Sequence, residues 1–172
     1  MTEVYIVKIN PSGRKTADTA ALREKAYGLA RNRLGFSGEF ERTENGKPYA
    51  EGCSIRFNIS HSGTYAAVAL SDGEVGIDIE RIREVNLKIA EKFSSDEREY
   101  ILSAENPKRA FFEIWTAKEA YLKKCGTGIT VPLNSFSVIG MTDIYRFFYE
   151  DCLISVCSKE APQFCGLRQD GD

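Results

Sequence analysis

The chain has 172 residues, of which 42% are hydrophobic and 28% charged, with a formal net charge of −2. That apolar content is enough for a folded core and excludes an extended disordered chain, and the near-neutral charge excludes a polyanion-coating surface, so no nucleic-acid partner is expected. No signal peptide or membrane-spanning run is recognisable, which gives the cytoplasm and no membrane as the default, and the five cysteines, odd in number and without CxxC spacing, read as reduced thiols.

In chain order, alternating apolar residues predict strands near Val4 to Ile9, Ile55 to Ile59, Tyr65 to Leu70 and Val75 to Ile79. A helix is expected from about Asp18 to Leu34, with Leu22, Ala26, Leu29 and Arg33, together with Ala30, on one face and Gly35 and Gly38 ending it. Asn86 is placed to cap a short helix through Phe93, Ser94 or Ser95 another through Leu102, and Pro107 opens a longer one through Lys124 that stops at Gly126 and Gly128. Three strands then follow as a meander, at Ser135 to Ile139, Ile144 to Tyr149 and Cys152 to Cys157, and the tail after Pro162 is expected to be peripheral. Glu3 to Ile9 faintly echoes Glu74 to Glu80, which suggests a boundary near Gly73 between two segments that each open on a strand.

The chemistry concentrates in four short motifs. In Glu74 to Glu80, EVGIDIE, strand alternation puts Asp78 and Glu80 on one face and Ile77 and Ile79 on the other. In Trp115 to Lys123, WTAKEAYLK, helical spacing sets Glu119 beside Lys123. If the two segments meet, Asp78, Glu80 and Glu119 make an oxygen-rich set suited to a hard dication, with Lys118 and Lys123 left for anionic oxygens. The same spacings are met by the wet face of a strand and by an ordinary surface ion pair. Phe57 to Gly63, FNISHSG, ends in a polar turn that holds His61, the only histidine, between Ser60 and Ser62. Lys47 stands between Gly46 and Pro48, where it is an anion ligand or a plain loop lysine.

Taken in order, GKP, FNISHSG, GIDIE and WTAKEAYLK resemble the 4′-phosphopantetheinyl transferase superfamily, in particular the type that activates peptide and polyketide synthetases. The resemblance runs from about Gly46 to Cys157. It implies an α+β fold of two similar halves, 1–73 and 74–172, related by an approximate twofold axis with the active site in the cleft between them, and a monomer suffices because one chain supplies both sides. It implies that Asp78, Glu80 and Glu119 hold magnesium, with manganese as an alternative. Lys47, Ser60, His61, Lys118 and Lys123 match positions that contact coenzyme A, and Trp115 supports the helix. The partner it implies is an apo acyl or peptidyl carrier protein, whose serine hydroxyl attacks the β-phosphate of coenzyme A so that 3′,5′-ADP leaves. Glu119 is the expected base, with Asp78 and Lys123 completing the catalytic set. Longer members carry an N-terminal basic stretch for the 3′-phosphate; here Arg14 and Lys15 are the residues available, and they fit a solvated charge pair equally well.

Overall fold

The computed structural model describes residues 1–168 and has an α+β architecture. Strand β1 (Thr2–Lys8) leads into helix α1 (Lys15–Leu34), a small hairpin β2 (Glu41–Arg42) and β3 (Pro48–Tyr49), then β4 (Arg56–Ser62), β5 (Tyr65–Ser71) and β6 (Gly76–Arg81). A 3₁₀ segment, Leu87–Lys92, precedes α2 (Ser95–Ser103) and α3 (Pro107–Cys125), and β7 (Ile144–Tyr149), β8 (Cys152–Cys157) and β9 (Pro162–Arg168) close the chain. Helix boundaries follow the local signals. Gly35 ends α1 in the left-handed conformation, and Asn106 accepts the Arg109 N–H at the start of α3 ahead of Pro107.

The strands form a sheet ordered β4-β5-β1-β9, a second ordered β6-β8-β7, and the isolated β2-β3 pair. Helix α1 covers one face of the larger sheet, where Leu22, Ala26 and Ala30 pack on Tyr5, Val7, Phe57 and Val68. The other face packs on the second sheet, joining Val4, Ile6 and Ala67 to Ile77, Ile79, Ile154 and Val156. Helix α3 covers the far side of that sheet, with Phe111, Ile114 and Ala117 against Leu153 and Cys157. Among the described residues no helix is long and apolar enough to cross a membrane.

The strand β4 runs alongside β6, bridged by side chains. Asn58 accepts the Ile77 N–H, Ser60 donates to Asp78 and Ser62 donates to Glu80. Each second residue of β4 thus reaches β6, a direct use of strand alternation.

Three expectations are corrected. The tail after Pro162 is a strand, β9, which lies parallel to β1 and so returns to the sheet of the first segment. Residues 135–139 form no strand. There the Leu133 and Phe136 carbonyls accept from the Lys118 ammonium and the Val138 N–H donates to Glu97, so side chains from α2 and α3 take the groups a ladder would use. His61 lies within β4, paired with Ala66, and the turn falls one step later at Gly63 and Thr64.

Candidate functional site

Two structural features set the site beneath α3. Asp78 and Glu80 lie on the face of β6 that α3 covers, and Gly76, on the same face, lets the helix backbone come close. A Cβ built at Gly76 would stand 1.9 Å from the Ala120 carbonyl oxygen and 2.4 Å from the Lys124 nitrogen. The contact presses the turn carrying Glu119 and Lys123 onto Asp78.

Asp78 is buried, and its Oδ1 accepts from Lys123 Nζ at 2.6 Å and from Ser60 Oγ at 2.7 Å. Lys123 Nζ also donates to Ser60 Oγ at 2.9 Å. The second Asp78 oxygen, Oδ2, and Oε1 of Glu119 are buried without a hydrogen-bond partner. Burial raises the Asp78 pKa above its ordinary value, the Lys123 ammonium and the Ser60 hydroxyl work against that, and the Glu80 charge adds to it. Glu119 is raised as well, first by burial and then by the charge of Asp78, with Lys123 opposing and Glu80 adding a smaller push. Glu80 is held by the Ser62 hydroxyl at 2.8 Å and Arg83 at 3.1 Å.

Among the described residues, no three Asp, Glu, His or Cys side chains are arranged to hold a metal ion as they stand. Lys123 occupies one oxygen of Asp78, and Glu80 is turned to Ser62 and Arg83. The donor chemistry nevertheless suits a hard dication: Asp78 and Glu119 each bury an oxygen without a hydrogen-bond partner, burial raises the pKa of both, and the charge of Asp78 raises that of Glu119 further.

Beside the carboxylates lies a cavity of about 290 Å³ lined by Arg23, Arg42, Lys47, His61 and Lys123 among others, with Tyr27, Pro48 and Asn58 in its wall. Among the described residues lining it there is no Asp or Glu. His61 has its pKa lowered, by partial desolvation of the ring first and then by the charges of Arg23 and Lys123. These are the conditions of an anion site. A larger cavity of about 810 Å³ shares Lys47, Pro48 and Gly126 with the first and continues past Tyr49, Ile55, Phe57 and Cys125; its lining contains neither Asp78 nor Glu119.

The structure brings together Asp78, Ser60, Lys123 and Glu119, and sets His61 and Lys47 on the neighbouring wall. Lys47 donates to Glu74 at 2.6 Å and to the Lys124 carbonyl at 3.1 Å, and it lines both cavities. Lys118, expected at the phosphates, is removed from the site. It is fully buried, pairs with buried Glu97 at 2.8 Å, and donates to the Leu133 and Phe136 carbonyls at 2.7 Å each. Three protons meet three acceptors, and none remains for a ligand. Lys118→Ala is therefore expected to cost about 3–5 kcal/mol in urea unfolding, because Glu97 is left buried and unpaired. Arg14 and Lys15 are exposed at the start of α1, outside the cavity lining; Arg23, two turns further on, takes that place. Arg23 and Arg42 were not singled out by motif. The signal for Arg23 is its place four residues before Tyr27, on a flank beside the Leu22, Ala26, Ala30 stripe, so that both line the cavity.

Family comparison identifies the lineage of this arrangement. The model for the 4'-phosphopantetheinyl transferase superfamily matches residues 74–160, which is half of the chain. The chain belongs to that superfamily. It is 48% identical over 101 residues to the 4'-phosphopantetheinyl transferase gsp of Aneurinibacillus migulanus, a match covering 56% of this chain and 42% of that protein. It is 46% identical over 102 residues to psf-1 of Bacillus pumilus, covering 57% and 44%, and 37% identical over 103 residues to Sfp of Bacillus subtilis (strain 168), covering 58% and 46%. The matches span about half the length of these curated relatives. Within the superfamily match lie Asp78, Glu80, Glu119 and Lys123, whereas Arg23, Arg42, Lys47 and His61 precede it.

Proposed function

We propose that this chain transfers the 4′-phosphopantetheine arm of coenzyme A to a serine of an apo acyl or peptidyl carrier protein, with magnesium or manganese held by Asp78, Glu119 and Glu80. The observation that carries this is the junction at Lys123: one lysine touches a buried carboxylate with a bare oxygen and also lines a cavity of clustered cations. A diphosphate bridges two such compartments.

In this reading 1–73 and 74–172 act as two α+β halves about a cleft, with β9 lent back to the first sheet, and a monomer in the cytoplasm suffices. Arg23, Arg42 and His61 bind the 3′-phosphate end, and Lys123 lies against the diphosphate. A divalent cation, when bound, neutralises charge on the diphosphate and on the departing phosphate. Glu119, its pKa raised by burial and by the charge of Asp78, accepts the proton of the carrier serine hydroxyl as the new serine O–P bond forms. The P–O bond inside the diphosphate breaks, and 3′,5′-ADP departs. No enzyme nucleophile is required.

Mass spectrometry of an apo carrier protein incubated with the chain, coenzyme A and magnesium tests the proposal. A mass gain of one phosphopantetheine supports it, and an unmodified carrier in the presence of bound coenzyme A rejects turnover. Arg23→Ala should weaken coenzyme A binding about tenfold by calorimetry, roughly the loss of one charge-assisted phosphate contact. The double change of Arg14 and Lys15 to alanine should leave it within about twofold. The reverse order would move the 3′-phosphate to the start of α1.

A further inference from the structure

Lys123 stands between the two compartments of the site. Its ammonium sits at 2.6 Å from Asp78 Oδ1 and 2.9 Å from Ser60 Oγ, yet the same side chain, 28% exposed, lines the cationic cavity next door. Two of its three N–H donors are used, and its stem is flexible. In this position it does to Asp78 what a bound cation would do, and it stands beside the bare oxygens of Asp78 and Glu119. An ammonium in contact with Asp78 repels a dication approaching the same carboxylate. On the cavity side, Arg23 and Arg42 bring positive charge together beside a neutral imidazole at His61, so an entering anion gains a further partner if Lys123 swings over.

We propose that Lys123 is an internal cation that keeps the acidic site closed in the free protein and is drawn onto the diphosphate of an anion entering the neighbouring cavity, so that anion binding precedes and opens the divalent-metal site. The inference rests on the function proposed above and deepens it with an order of binding. It accounts for the Asp78 side of the carboxylates' arrangement, where Lys123 holds one oxygen, while Glu80 is held separately by Ser62 and Arg83.

The test uses the full chain and Mn²⁺ alone, with free and bound ion distinguished by electron paramagnetic resonance and no nucleotide present. Lys123→Gln is expected to bind Mn²⁺ at least about tenfold more tightly than the parent, and Lys123→Arg, which keeps a cation beside Asp78, to bind no more tightly than the parent. Adding Glu119→Gln to Lys123→Gln should remove the gain. Equal Mn²⁺ affinity in the parent and Lys123→Gln, with Glu119→Gln lowering both, overturns the handover and leaves the acidic metal site standing. Affinity indifferent to Glu119→Gln in either background overturns the metal site itself. Should Lys123→Gln fail to fold, the parent decides the matter. In ¹⁵N-lysine-labelled protein without metal, coenzyme A should shift the Lys123 ammonium resonance, identified by its loss in Lys123→Arg, and an unmoved resonance rejects the proposal.

Discussion

Glu119→Gln is expected to lower transfer by about 100-fold to 10,000-fold and, at the same time, to raise the thermal midpoint at neutral pH. The two effects have one cause. Burial and the neighbouring charge of Asp78 raise the Glu119 pKa, so the folded protein holds an ionised carboxylate at a cost the unfolded chain does not bear. A raised folded pKa means that the native state binds more protons than the unfolded state between the unfolded value of 4.5 and the raised one. Stability therefore falls as pH rises through that window and stays reduced above it. Glutamine keeps the shape and removes the charge, so the variant should gain about 1 kcal/mol, or about 2–4 °C, at pH 7. The stability difference between the two proteins should shrink as pH is lowered toward 4. The acid limb of the transfer rate, which reports ionisation of the base, should disappear from the residual activity. Scanning calorimetry at several pH values and a single-turnover assay measure both. Near-normal transfer would reject Glu119 as base and ligand, and a lowered midpoint would reject the charge penalty. Asp78→Ala should also abolish transfer, but without the gain, because it strips Lys123 and Ser60 of their acceptor.

How far the residues announce this arrangement depends on what kind of contact is needed. Helix ends marked by Gly35, Pro107 and Gly126 are local, and the alternation in GIDIE is local too, so α1, α3 and β6 with its inward Asp78 follow from short stretches of chain. Lys118 shows what the motif leaves out and the helical period adds. It falls on the same helical flank as Phe111, Ile114 and Leu122, all buried, while Glu119 one residue on faces β6. A lysine on an apolar flank signals a buried partner, and Glu97 is that partner. Other features exist only after folding. Arg23 and Arg42 reach the cavity from α1 and from the hairpin, distant in sequence from His61 and Lys123. The strand β9 needs the open edge of β1, and 135–139 loses its ladder to side chains from elsewhere. In each case a non-local partner outweighs the local preference.

The seam between α3 and β6 is where structure and chemistry depend on one atom's worth of space. Gly76→Ala is expected to destabilise the fold by about 3 kcal/mol and to cut transfer about 100-fold in the molecules that remain folded. The added methyl meets the Ala120 carbonyl oxygen at 1.9 Å and the Lys124 nitrogen at 2.4 Å, both backbone atoms of a hydrogen-bonded helix. No rotamer change relieves such a contact, so α3 must retreat by roughly 1 Å or more from a close-packed core. The helix is also held by Phe111 and Ile114 packed on β8, by the Lys118–Glu97 pair, and at its middle by the Thr116 hydroxyl on Ser155 at 2.7 Å. Retreat therefore strains those contacts while drawing Glu119 and Lys123 away from Asp78. Ala120→Gly added to the variant should restore nothing, since the clash is with main chain, and that failure separates a backbone collision from ordinary overpacking. Differential scanning calorimetry should place the midpoint about 6–12 °C lower. A midpoint and transfer rate equal to the parent would show that the helix can yield without moving the site, and that Gly76 does not set the distance between Asp78 and the residues opposite it.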